Sequence, residues 1–105
     1  LNALLKQGKK FTALVCGNDE MASGAMSAAR EAGLAVPQDI SIVGFDNIIY
    51  AAYLHPKLTT IEYPVHEMGK MAARLILKTV YDKKDLKVDN VFLPKLLERN
   101  SAVNA

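Results

Sequence analysis

The sequence contains no tryptophan and a single cysteine, Cys16. One thiol excludes an internal disulfide framework, so the fold has to be held by apolar burial, and a reducing, cytoplasmic setting is expected. No apolar run approaches the roughly 20 residues of a membrane-spanning helix. No basic segment followed by an apolar stretch and a cleavage site marks a secretory leader. Charge of one sign is also scarce. The formal net charge is +2, with acids and bases interspersed, so electrostatics alone point to no nucleic-acid surface. The short basic cluster at residues 6–10 suits a helix C-terminus instead. Enzyme signatures are missing too. There is no G-x-S-x-G, no G-x-G-x-x-G and no P-loop, and no carboxylate pair is singled out for glycoside chemistry. His55 and His66 lack regularly spaced Cys or acidic partners, which leaves surface or packing roles and implies no metal site and no cofactor.

What is present is a core former. Half of the residues are apolar, which argues against disorder. Leu1, Leu4 and Leu5 stand at helical spacing with no cap before them, as if the sequence opened inside a helix of a longer protein. Residues 11–16 form a continuous apolar run ended by Gly17, the pattern of a strand buried on both faces. Asn18 or Asp19 then caps a helix expected over residues 20–32, which stops at Gly33. Its small residues, Ala22, Ser23, Ala25, Ala28 and Ala29, permit close approach of the sheet or of a partner subunit. A second buried strand spans 40–45, and Tyr50 and Tyr53 mark a short helix or turn that packs. A third strand is expected at 57–63 and a full amphipathic helix at 65–81. Short strands at 91–93 and 96–98 flank Pro94, and a polar tail follows from residue 100. Strand and helix alternate over short links, which implies an α/β fold with a parallel sheet.

In open α/β sheets ligands bind beyond the carboxyl ends of the strands. Asn18, Asp46 and Tyr63 fall at the ends of the three expected strands. A carboxylate that accepts and an amide that both donates and accepts suit vicinal hydroxyls, as on a sugar. Each residue also has a bland role. Asn18 can serve as a cap, Asp46 as a turn residue and Tyr63 as core.

Four segments become specific together: F-T-A-L-V-C-G-N-D-E-M-A-S-G-A-M, V-P-Q-D-I-S-I-V-G-F-D-N, P-K-L-T-T-I-E-Y-P and F-L-P-K-L-L-E-R-N-S. In this order and spacing they resemble the effector-binding core of the LacI/GalR family of bacterial transcription regulators, with the galactose-repressor branch closest in look. The resemblance covers nearly the whole chain. It implies a periplasmic-binding-protein-like (type I) fold, of which residues 1–105 would be the C-terminal portion of the sugar- or effector-binding domain. That portion would hold most of the second half of the C-terminal lobe and a crossover helix of the other lobe. The DNA-reading helix-turn-helix and the first part of the core would lie outside it, so operator DNA is a partner of the longer protein only. The resemblance further implies that Asn18 and Asp46 contact the effector, probed first as a monosaccharide such as galactose. Tyr63 stands where several family members carry Gln on the ligand; the aromatic departs from that hydrogen-bonding pattern and is compatible with stacking on a sugar face. The helix after Asn18 and the segment around Tyr53 and Leu54 match the family's dimerisation surface, which implies a homodimer.

Three functions compete. The first is a sugar-responsive repressor of carbohydrate-metabolism genes. The second is a periplasmic sugar-binding protein of a transport system, which shares the fold and the N-D-E-M-A and G-F-D segments. The third, a flavodoxin-like enzyme or receiver domain, lacks any acidic cluster, nucleophile or phosphate loop to support it. The V-P-Q-D-I-S lead-in and the L-L-E-R-N-S ending favour the first.

Overall fold

A computed structural model describes residues 1–103. The chain divides into two compact units, one of Leu1–Glu62 with Leu96–Ala105 and one of Tyr63–Lys95. In the first unit, a short helix α1 (Asn2–Lys6) leads to strand β1 (Ala13–Val15), helix α2 (Asp19–Glu31), strand β2 (Ser41–Val43), a 3-10 turn of helix (Ile49–Ala52) and strand β3 (Thr60–Glu62). The second unit holds helix α3 (Val65–Val80), and strand β4 (Lys95–Leu97) begins at its last residue.

β1 and β2 pair in parallel, with Leu14 opposite Ile42. A parallel bridge between Val43 and Thr59 carries the pairing on to β3, and β3 neighbours β4. The expected parallel α/β arrangement is therefore present. α2 forms where capping and composition agree. Asn18 Oδ1 accepts from Met21 N at 2.8 Å, Asp19 and Glu20 occupy the first turn, and Arg30 the last. Gly33, at φ 74°, ends the helix. Its N–H and that of Leu34 donate to the carbonyls of Arg30 and Ala29 at 3.0 and 2.9 Å. Of the two nominated caps, Asn18 is the one used. The small-residue face turns to the sheet, with Ala22, Ala25, Met26 and Ala29 buried against Ile40, Ile42 and Leu58. Each fully buried Ile or Leu contributes roughly 1.5–3 kcal/mol.

Three expectations need correction. The run at 11–16 is not buried on both faces, since Val15 is 77% exposed. Only the face bearing Leu14 packs on the core within the described residues. No strand forms at 91–93, where Val91 and Leu93 stand exposed and no described strand supplies a hydrogen-bonded neighbour. The tail is also not simply polar and solvated. Ser101 is fully buried; its hydroxyl donates to Ile42 O at 2.6 Å and accepts from Thr59 N at 2.8 Å, so residues beyond β4 stitch β2 to β3. Positions 104–105 of the tail lie outside the described residues.

In the second unit, α3 carries an exposed Glu67–Lys70 ion pair at 3.0 Å. That hydrogen bond holds the Glu67 carboxyl below its usual range. Met71 is buried, and its sulfur accepts from Asp89 N at 3.4 Å. Leu75, Ile76, Val80 and Tyr81 remain exposed. No helix is long and apolar enough to cross a membrane among the described residues.

Candidate ligand site at the carboxyl edge of the sheet

The parallel register brings the β1–α2 turn beside the segment after β2. Cys16 N donates to Val43 O and Asp19 N to Phe45 O, both at 2.8 Å. Asn18 and Asp46 each sit one residue from that second bond, so they share one edge of the first unit. Asn18 is the helix cap, as its bland role required. Capping uses only its oxygen, and its amide N–H groups meet no acceptor among the described residues. The Asp46 backbone N–H donates to Ile61 O at 2.8 Å, while its carboxylate accepts no hydrogen bond among the described residues. Its φ is 110° and that of Asn47 is 51°. Side-chain-bearing residues rarely adopt such angles, and each costs on the order of 1–3 kcal/mol. The edge thus presents an unengaged amide donor and an unengaged acceptor. Tyr63 follows β3 as expected, and its carbonyl accepts from Val65 N at 2.8 Å in the turn to α3. It belongs to the second unit.

Sequence reasoning missed the scaffold behind these residues. Asp19 is fully buried, not a surface cap. Its carboxylate accepts from the Thr60 hydroxyl and from Ile48 N, the latter at 2.9 Å. One side chain therefore ties the start of α2 to β3 and to the strained segment. Gly44 makes this possible, because a Cβ there would lie 2.1 Å from Asp19 Oδ1. A second network surrounds Asn47, whose amide donates to Glu62 Oε1 at 2.8 Å and accepts from Arg99 Nη2 at 2.7 Å. The nearest sequence signals were acids in a helix's first turn and a lone Arg in L-L-E-R-N-S, neither of which names its partner. Burial pushes the Cys16 thiol up, consistent with a small core residue, not a nucleophile. Among the described residues no group of three His, Cys, Asp or Glu could hold a metal ion.

Open concavities also lie elsewhere on this unit. A cavity of 590 Å³ lies among the segments that precede β2 and β3 and the one that follows β4, bordered by Pro37, His55 and Arg99. Another of 480 Å³ lies between α2 and the 3-10 helix, bordered by Ser23, Tyr50 and Tyr53.

Known proteins resemble this chain. The model of the periplasmic binding protein-like domain matches residues 2–102. The Escherichia coli HTH-type transcriptional regulator GalR is 41% identical over 101 residues, which is 96% of this chain and 29% of that protein. The Photorhabdus laumondii HTH-type transcriptional repressor PurR is 43% identical over 104 residues, 99% of this chain and 30% of that protein. The chain belongs to the LacI/GalR family, in its periplasmic-binding-protein-like portion. A crystal structure of an Escherichia coli sugar-binding LacI-family transcriptional regulator, complexed with phosphate, superposes with a TM-score of 0.88 at 41% identity. That match covers 95% of this LacI/GalR-family chain and 36% of the other. The chain thus spans under a third of the two regulators' length.

Proposed function

We propose that the chain is the C-terminal portion of the effector-binding domain of a LacI/GalR-type repressor of carbohydrate-metabolism genes. It acts by binding, not catalysis, and takes a small polyhydroxylated effector, a monosaccharide and galactose first. The supporting observation is the Asp46 carboxylate, free of partners among the described residues, on a strained backbone at the sheet's carboxyl edge, one residue from the contact that also places Asn18. Strain retained at two consecutive residues points to function. A carboxylate bridging two hydroxyls beside an amide donor is the chemistry of sugar recognition. Tyr63 is carried over from the family resemblance as a third ligand residue, its ring suited to stacking on a sugar face. Operator DNA is read by the helix-turn-helix of the longer protein, in the cytoplasm. The chain dimerises through α2 and the Tyr53 segment, where Met21, Ile49, Tyr50 and Tyr53 are all more than half exposed. Effector binding shifts DNA affinity only by as much as it discriminates between two states of the protein. The alternative, a periplasmic transport component, is not favoured, since the relatives described above are transcription regulators.

The test is calorimetric titration of the full-length protein with galactose, ribose, glucose and a purine, with Asp46→Ala in parallel. Saturable heat with one sugar, lost in Asp46→Ala, is the expected result. Equal binding by Asp46→Ala would overturn the site, and a folded wild type that binds no sugar would overturn the sugar-sensor reading.

A further inference from the structure

Asp46 and Asn47 are consecutive side-chain-bearing residues at positive φ, 110° and 51°. Such a pair persists only where its surroundings over-determine it. Its two flanks are held by backbone hydrogen bonds, Asp46 N to Ile61 O at 2.8 Å and Ile48 N to Asp19 Oδ2 at 2.9 Å. Between them the Asn47 N–H makes one long bond, to Thr60 Oγ1 at 3.4 Å, and the shorter restraints fall on the Asn47 side chain, which is gripped at both ends. Its nitrogen donates to the Glu62 carboxylate at 2.8 Å and its oxygen accepts from the Arg99 guanidinium at 2.7 Å. An anion at the donor and a cation at the acceptor make both bonds charge-assisted and fix which way the amide faces. Arg99 is itself immobilised. Its other arm, Nη1, donates to Leu58 O at 2.8 Å, and its backbone N–H donates to Thr59 Oγ1 at 2.9 Å. A planar fork that bridges two acceptors has no equivalent in a lysine point charge.

We propose that Arg99 is a positioning residue for the Asp46 carboxylate, acting through the Asn47 amide with Glu62 as the opposing anchor. The proposal rests on Asp46 being the effector contact, as argued above. Asp46 has no side-chain bond of its own among the described residues. Its aim is therefore set by its backbone, and that backbone is held in place through Asn47. The ligand meets a carboxylate already oriented, which lowers the ordering cost of binding. Arg99 touches no ligand in this scheme and tunes affinity from behind the site.

The experiment uses the full-length protein and reads two quantities, amide hydrogen exchange and calorimetric affinity for galactose, ribose and glucose. Arg99→Gln should speed exchange at Asp46, Asn47 and Ile48 by about tenfold while Ile42 in the core is unchanged, and should weaken sugar binding by about tenfold. Arg99→Lys should fall between Gln and wild type. Glu62→Ala removes the other anchor at an exposed position that does not threaten folding, and should act locally in the same direction. Glu62→Gln keeps an acceptor and should stay within about twofold of wild type. Unchanged exchange at residues 46–48 in both Arg99→Gln and Glu62→Ala overturns the proposal, as does acceleration that includes Ile42 equally, the mark of a merely structural role. If wild type binds none of the sugars, the effector reading fails by itself, and the exchange pattern still decides whether Arg99 positions this segment.

Discussion

Gly44→Ala is the substitution whose cost the structure specifies best. The added Cβ would lie 2.1 Å from Asp19 Oδ1, 3.0 Å from Leu58 Cδ2 and 3.2 Å from Asp19 Cα. The last of these atoms is backbone at the start of α2, so side-chain motion alone cannot relieve the overlap. The carboxylate must rotate away, yet it is fully buried and accepts from both Thr60 and Ile48. Overpacking a core costs about 1–3 kcal/mol, and losing hydrogen bonds to a buried charge about as much again. A total of about 2–6 kcal/mol is expected, at or above the top of the usual range for single substitutions. In urea unfolding of the full-length protein this lowers the midpoint by about 1–3 M at an unchanged slope of roughly 2–3 kcal/mol/M. Gly24→Ala is the control. Its Cβ meets nothing within 4 Å in the middle of α2, so it should stabilise by roughly 0.5–1 kcal/mol. Adding Asp19→Ala to Gly44→Ala removes the colliding oxygen, so the double variant should be more stable than the sum of the single losses by about 1–3 kcal/mol. A Gly44→Ala protein within 1 kcal/mol of wild type, or strict additivity in the cycle, would refute the account of this junction.

Asn18 does two jobs in this reading, and one pair of variants separates them. Asn18→Ala should lose about 1 kcal/mol of stability with the cap, whereas Asn18→Asp should keep the cap and lose sugar affinity, because it deletes the unengaged donor. Full affinity in Asn18→Asp, measured by calorimetry beside its melting temperature, would reduce Asn18 to a cap. Ser101→Ala should cost about 1–3 kcal/mol, since it leaves Thr59 N and Ile42 O buried without their partner. A melting temperature equal to wild type would mean that the segment after β4 does not stitch β2 to β3.

The elements that were legible in the sequence are those set by local chemistry. α2 announced itself through a cap, acids in the first turn, an Ala-rich interior and a closing Gly33, and it forms within one residue of its expected bounds. The order of strand and helix, and hence the parallel sheet, followed from the same punctuation. Pairing and burial were less legible because they are relations between distant residues. Residues 91–93 have strand composition and no described strand beside them. Val15 lies in a run that looks doubly buried, yet the described chain covers only the other face. Ser101 looks like tail polarity until two strands 42 and 59 residues away supply its partners.

The candidate site divides along the same line. Asn18, Asp46 and Tyr63 could be nominated because strand ends are readable and the residue types suit hydroxyl groups. Asp19, Asn47, Glu62 and Arg99 could not, because an acid beside a cap and a lone Arg in a C-terminal segment are ordinary until their partners are known. Yet these four decide what the nominated residues can do. Asp19 consumes its carboxylate inside the protein, and Asn47 has both ends of its amide occupied. Next to them, among the described residues, Asp46 keeps its carboxylate free and Asn18 its amide nitrogen. Four acceptor-bearing side chains thus crowd one edge of a sheet, and the structure sorts them by what is left unspent. Two build the edge, and two keep groups available for the effector proposed above.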